Sequence, residues 1–363
     1  MLPETIPVPS GLKIDEYLRR RLMPAEGTIP HLEGIEMYGD SIPADTVGGD
    51  VFEYINFQQR YDIEARIARA RQLAREYLDP LPRGSTPRNQ VDVHVAWLSS
   101  KGYSPSDIAG YRKGKSSEQL HVAENLRSLY ATAGVLLVDA QGHGIIAAKI
   151  ASTVHDTFQA FMLSELDSHG TTTTDLFEKL NLRLAQSVTA RNALGRTLHG
   201  DAREIATLLY GEIHPGGNFR FVNFGHPPPL VFSDKYNRFM EIDKNRMVQF
   251  MALGLEIPEN HPDRNKYIWV KLRKRQIEPS DLAEITLMGK GDILFLYTDG
   301  VYDGSNERER QKIEDVIRAH RLEPAKNVSN AVLEYARARD ACLREQGLAD
   351  EVDDKTVLII KRT

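Results

Sequence analysis

The sequence predicts an α+β fold in which several strands pack as sheets and long amphipathic helices cover them. Three observations carry the prediction. Short apolar or alternating runs recur along the chain, and they dominate from Ile205 onward. Long stretches with apolar residues at helical spacing separate or follow them. The composition, 41% hydrophobic and 27% charged over 363 residues, suits an ordinary globular chain of one large domain or two smaller ones.

Taken in order, residues 1–33 read as a lead-in with one helix around Ile14 to Leu22, and Arg19-Arg20-Arg21 as a solvated face. A strand-like stretch fills 34–57 and includes V-G-G-D-V-F-E-Y-I at 47–55. From Tyr61 to Leu78 the spacing turns helical, with Ile63, Ile67, Ala70, Ala74 and Tyr77 on one face and Arg66, Arg69, Arg71 and Arg75 on the rest. Asp79-Pro80 ends that helix, because a residue before proline is pushed out of the α region. Residues 80–90 read as an exposed loop. Val91, Val93, Val95 and Trp97 alternate as in a short strand, with a helix as the other reading. Ser104-Pro105 opens a turn or short helix, Arg112, Lys113 and Lys115 read as surface, and Ser117 to Tyr130 as a helix.

Ala133 to Val138 is a compact apolar run suited to a buried strand, and it leads into D-A-Q-G-H-G at 139–144. Ile150, Val154, Phe158 and Phe161 then mark one face of a long helix. Another helix starts near Asp175, with Glu178 placed to reach back, and carries Leu176, Leu180 and Leu184 as its stripe. A-T-L-L-Y-G-E-I (206–213) and F-R-F-V-N-F (219–224) flank the hairpin turn His214-Pro215-Gly216-Gly217. Further strands are expected at Pro229 to Phe232, Tyr267 to Leu272, Asp292 to Tyr297 and 356–361, and helices at 308–320 and 326–345.

The bulk numbers also exclude function classes. A net charge of −5 offers no basic surplus for nucleic acid. One cysteine, Cys342, rules out an internal disulfide framework and argues against a Cys-based zinc site; its place in a helix suggests packing. No apolar run reaches membrane-spanning length, and the N-terminus lacks signal-peptide features, so a cytoplasmic location is expected.

Acidic residues at four places share one context. Asp50 follows Gly48-Gly49, Asp139 ends an apolar strand, Asp299 ends another in L-F-L-Y-T-D-G-V, and Asp353-Asp354 precedes the last strand. Each has a plain reading alone: a turn residue, a helix cap, an Asp-Gly turn, a solvated pair. If brought together, carboxylates repel unless a cation neutralises them, and such hard oxygen ligands suit Mg²⁺ or Mn²⁺.

The ordered set G-G-D-V-F-E (48–53), D-A-Q-G-H-G-I-I-A-A (139–148), N-F-G-H-P-P-P-L (223–230), L-F-L-Y-T-D-G-V (294–301) and D-D-K-T-V (353–357) resembles the type 2C metal-dependent serine/threonine phosphatases, and within them the bacterial SpoIIE-like branch. The resemblance runs from about residue 34 to the end. It implies a four-layer α-β-β-α sandwich of two antiparallel sheets flanked by helices, with a two-metal centre at one edge. Carried over by motif, Asp50, Asp139, Asp299 and Asp353 become ligands of two Mn²⁺ or Mg²⁺ ions, with Asp139 bridging and the Ala140 carbonyl contributing; Asp354 is the less favoured member of its pair. His143 is either a proton donor to the leaving oxygen or an orienting residue. Its spacing favours the second, since in the eukaryotic branch a His follows the Asp-Gly pair directly. His226, held among prolines, reads as structural support rather than as a ligand. The implied substrate is a phosphorylated regulatory protein, in this branch often an anti-anti-sigma factor, with a phosphorylated metabolite or a non-catalytic signalling scaffold as rival readings.

The pattern has departures. Val51-Phe52-Glu53 keeps an acid but lengthens it, which allows Glu53 a supporting role beside the acidic site, and Lys355 replaces a usual apolar residue. The largest is a mainly helical insert from roughly Phe57 to Ser128, where the family has a hairpin. It reads as decoration, as a homodimer contact, or as an Arg-rich docking arm for an acidic partner.

Overall fold

The computed structural model describes residues 24, 28–79, 86, 89–142, 144–193, 204–242, 249–255, 283–287, 289–348 and 351–363. The expected helix at Ile14 to Leu22, the Arg19-Arg20-Arg21 face, most of the 80–90 loop and the strand at Tyr267 to Leu272 lie outside them. The chain divides into two compact units, residues 57–131 with 160–176, and the remainder.

The larger unit holds two sheets. The first runs in the order β1 (Ile35–Ile42), β11 (Lys355–Arg362), β10 (Ile293–Tyr297), β6 (Leu230–Ser233), β7 (Arg238–Met240). All its pairings are antiparallel. The second runs β2 (Asp50–Asn56), β3 (Ala133–Ala140), β4 (Ala206–Ile213), β5 (Asn218–Phe224), with β9 (Ala283–Thr286) on β5 and the two-residue β8 (Gln249–Phe250) joining β5 in parallel. The β4–β5 hairpin closes as expected, with Gly217 N donating to His214 O at 2.9 Å.

Side-chain alternation explains the layering. In β10 and β11, Leu294, Leu296, Leu358 and Ile360 join Phe52, Tyr54, Val135, Leu137 and Leu209 in the core between the sheets. The intervening Ile293, Phe295, Tyr297, Val357 and Ile359 face the other way, onto α7 (Glu307–His320) and α8 (Ala325–Glu345) through Ile313, Ile317, Val328 and Val332. Strands buried on both faces read as continuous apolar runs, which is why L-F-L-Y and V-L-I-I carry no polar alternation. Across the second sheet, Phe158 of α5 (Gly144–Ser168) and Phe177 of α6 (Thr174–Ala193) pack on Tyr210, with ring centroids 5.4 and 5.7 Å away. The result is the predicted arrangement of two central sheets with helices outside.

The smaller unit contains α1 (Phe57–Arg60), α2 (Ile63–Leu78), α3 (Gln90–Ser100), α4 (Pro105–Tyr130) and the end of α5. The Val91–Trp97 alternation turns out helical: Asn89 caps α3 through Asp92 N, Val91 and Leu98 are buried, and Val93 and Trp97 are exposed. α4 starts earlier than expected, because Ser104 and Asp107 form a reciprocal capping box ahead of Pro105. Arg112, expected at the surface, is buried. Its guanidinium donates to Tyr77 O at 2.7 Å and Glu76 O at 3.1 Å, satisfying carbonyls at the end of α2. Arg66 is paired with Asp167. Cys342, expected to pack, is a free, exposed thiol on α8. Among the described residues no helix is long and apolar enough to cross a membrane.

Candidate active site

The acidic positions gather at strand ends on one edge of the larger unit. Asp50 opens β2 and Asp139 lies near the end of β3; the two stand directly opposite in the antiparallel register. Asp299 follows β10, and Asp353-Asp354 precede β11, the strand paired with β10. Asp50 is buried, and its Oδ2 accepts hydroxyl hydrogen bonds from Thr298 (2.7 Å) and Thr356 (2.8 Å). The first sheet's hydroxyls thus hold the second sheet's carboxylate. Thr298 and Thr356 also lock to each other, Thr298 N donating to Thr356 O at 3.1 Å and Thr356 N to Thr298 Oγ1 at 2.8 Å.

Asp354 is buried and anchors a loop: Oδ1 accepts from Ala44 N at 2.7 Å and Oδ2 from Gly49 N at 2.6 Å. Asp353 is half-buried, its Oδ1 accepting only the neighbouring Asp354 N among the described bonds. Ala140 N donates to Gly49 O at 3.2 Å. A Cβ on Gly49 would stand 2.9 Å from the Ala140 carbonyl oxygen and 2.7 Å from Ala147 Cβ, so glycine is required to keep that carbonyl open. His143 lies outside the described residues.

The electrostatics record the crowding. Burial first, and then the charges of Asp50, Asp299, Asp353 and Asp354, push the Asp139 acid well above the carboxylate range. Burial also raises Asp50, opposed by the Thr298 hydrogen bond. Asp299 is open to solvent on one side and is raised by burial on the other and by Asp353, while a hydrogen bond with Asp139 opposes this. Among the described residues no group of three or more Asp, Glu, His or Cys side chains is placed to hold a metal ion. The donor set is nonetheless all hard oxygen with mutual repulsion, and a divalent cation fits that chemistry.

Two neighbours differ from expectation or add to it. Glu53 points to the opposite face of β2 from Asp50, since side chains alternate along a strand. It accepts hydrogen bonds from His155 (3.0 Å) and Gln159 on α5, which removes it from the acidic edge. The His155 imidazole, raised to about 9, is charged there; burial opposes that rise, while bonding to Asp156 and Glu53 produces it. His226 is fully buried. Its Nδ1 lies 2.8 Å from Thr207 Oγ1, and its peptide exchanges hydrogen bonds with the Asn223 side chain at 2.8 Å. Thr207 stands opposite Asp139, so His226 braces the strand behind it.

Burial pushes the His226 imidazole from 6.5 down to about 3. Its contribution to stability is present above 6.5 and lost as pH falls toward 3, because only the unfolded chain then takes the proton. Urea unfolding at pH 7 and pH 4.5 is expected to show about 2–3 kcal/mol more acid loss in the wild type than in His226→Asn.

The sequence profile of the SpoIIE family, Stage II sporulation protein E, matches residues 131–363. The chain belongs to the SpoIIE family. The matched segment contains Asp139, Asp299 and Asp353 but not Asp50, which joins them through the β2–β3 pairing. No curated protein sequence matches this SpoIIE-family chain. Similar solved structures include the RsbU and RsbW domains of Rv1364c from Mycobacterium tuberculosis, at 14% identity and TM-score 0.47, covering 92% of this chain and 61% of that one. The PP2C phosphatase domain with a regulatory fragment of SpoIIE from Bacillus subtilis is similar at 15% identity and TM-score 0.41, covering 63% and 54%. The SiaA-PP2C domain of Pseudomonas aeruginosa is similar at 13% identity and TM-score 0.45, covering 90% and 85%. This chain therefore spans less than two thirds of the length of the first two.

The sequence reading does not single out Thr298 and Thr356 as functional side chains, and it names Asp354 only as the less favoured ligand of its pair. The available signal was position: the two hydroxyls sit immediately before Asp299 and two residues after Asp354.

Proposed function

We propose that this chain is a metal-dependent protein serine/threonine phosphatase that hydrolyses phosphoserine or phosphothreonine on a regulatory protein, an anti-anti-sigma factor being the partner class the family resemblance suggests. The observation that supports it is the pairing of Asp50 with Asp139 at the strand edge where Asp299 and Asp353 also arrive. Asp50, Asp139, Asp299 and Asp353, with the Ala140 carbonyl, would hold two Mn²⁺ or Mg²⁺ ions. When bound, such ions acidify water and neutralise charge on a phosphoester under in-line attack.

The chain's own residues do the rest. Thr298 and Thr356 both hold Oδ2 of Asp50 and favour the ionised form. Asp354, with both oxygens committed to Ala44 and Gly49, serves as loop anchor, which favours Asp353 as the ligand. The first turn of α5 begins at Gly144, and its free N–H groups and dipole suit an approaching phosphate. Cation uptake requires deprotonated carboxylates, so it releases protons and weakens as pH falls.

The test is hydrolysis of phosphoserine proteins and small phosphorylated metabolites by chelator-treated chain, with and without Mn²⁺. Mn²⁺-dependent turnover of phosphoprotein, declining below neutral pH, is expected. Turnover of metabolites alone, or none with any phosphopeptide, overturns the proposal in favour of the small-substrate or scaffold reading.

A further inference from the structure

Two cations, one buried and one half-buried, lie beside the acidic loops, and the mechanism above does not use them. Lys355 is only 1% exposed, at the position where the sequence departs from the family pattern. Its ammonium donates to the Asp353 carbonyl and pairs with Oδ2 of Asp340 on α8. Arg339, also on α8, donates to the carbonyl of Gly300 and, at 2.8 Å, to that of Val301, the two residues after Asp299. Its guanidinium also pairs with Glu309 on α7 and lies 3.4 Å from Oδ1 of Asp340. The Asp340 carboxylate thus joins two cations, and each grips the backbone next to one acidic position. A Lys with its head group buried is retained only where it is paired and hydrogen-bonded, because desolvation of the charge is costly.

We propose that Arg339 and Lys355, joined through Asp340, are positioning residues that hold the Asp299 and Asp353 loops at the separation a divalent-cation centre requires. The inference rests on the phosphatase reading for the identity of that centre. Helix α8 acts as a rigid bar: residues 339 and 340 are adjacent on it, so the two loops cannot move independently while both grips persist. The grips fall on main-chain carbonyls, and they leave the Asp299 and Asp353 carboxylates available. Lys355 also offsets part of the carboxylate repulsion at Asp354.

The test uses the full chain and Mn²⁺ alone. Affinity is read by isothermal titration calorimetry, and metal-free stability by thermal unfolding, for wild type, Arg339→Met, Lys355→Met and the double variant Asp340→Asn with Lys355→Met. The double variant removes both buried charges and guards against simple failure to fold. The expected result is a roughly 10–100-fold loss of Mn²⁺ affinity in folded Arg339→Met and in the double variant, the range typical when groups that orient metal ligands are removed. The metal-free melting temperature of the double variant should stay near wild type. Unchanged Mn²⁺ affinity in the folded variants overturns the positioning role while leaving the phosphatase reading intact. A wild-type chain that takes up no Mn²⁺ overturns both.

Discussion

Asp139→Asn is expected to lower Mn²⁺-dependent phosphoprotein hydrolysis by roughly 10³-fold or more while raising the metal-free melting temperature. The two effects have opposite signs for one reason. Asp139 stands opposite Asp50 and within hydrogen-bonding reach of Asp299, and its acid is raised by burial and by four neighbouring carboxylates. Folding therefore disfavours the ionised form of this side chain, and a neutral isostere removes that cost. A relief on the order of 1 kcal/mol corresponds to about 2–4 °C in a domain of this class. In the proposed centre the same carboxylate would be the bridging oxygen donor for the cations, and their loss would remove several kcal/mol of transition-state stabilisation. Turnover assays and calorimetry on the chelated protein measure the two arms. Retained turnover would dismiss Asp139 from the centre, and a lowered metal-free melting temperature would dismiss the repulsion argument.

Gly300→Ala is expected to lower turnover by about 10²-fold and stability by about 1–3 kcal/mol. A Cβ at Gly300 would overlap the Asp354 carbonyl oxygen outright and crowd the Asp353 carbonyl carbon. The loops after Asp299 and before β11 are thus in direct backbone contact, and one methyl group must push them apart. Displacing backbone is costlier than displacing a flexible side-chain tip. Gly110→Ala is the matched control: Gly110 lies in α4 with nothing within 4 Å of an added Cβ, so alanine should stabilise by about 0.5–1 kcal/mol through helix propensity. Equal effects at the two positions, read from urea unfolding and turnover, would show that loop contact does not govern the site.

The legibility of this fold varied with how local its causes were. L-F-L-Y and V-L-I-I announced strands as continuous apolar runs, and a helix is expected at 326–345, where α8 forms. The Val91–Trp97 segment leaves strand and helix both open because alternate apolar residues over seven positions satisfy either period; the Asn89 cap and the burial of Val91 and Leu98 on one side decide for helix. Arg112 read as surface because a charged residue in a basic run usually is, and only the carbonyl end of α2 explains its burial.

The order of strands and helices and the set of aspartates placed after or before apolar runs are legible in the chain alone. These follow from side-chain periodicity and local backbone preference, which act over a few residues. Only the tertiary structure decided that Asp50 meets Thr298 and Thr356, separated from it by 248 and 306 positions, that Asp354 anchors rather than points outward, and that Glu53 faces away. Such partnerships depend on register between strands remote in sequence, and a one-residue slip would send each side chain to the opposite face.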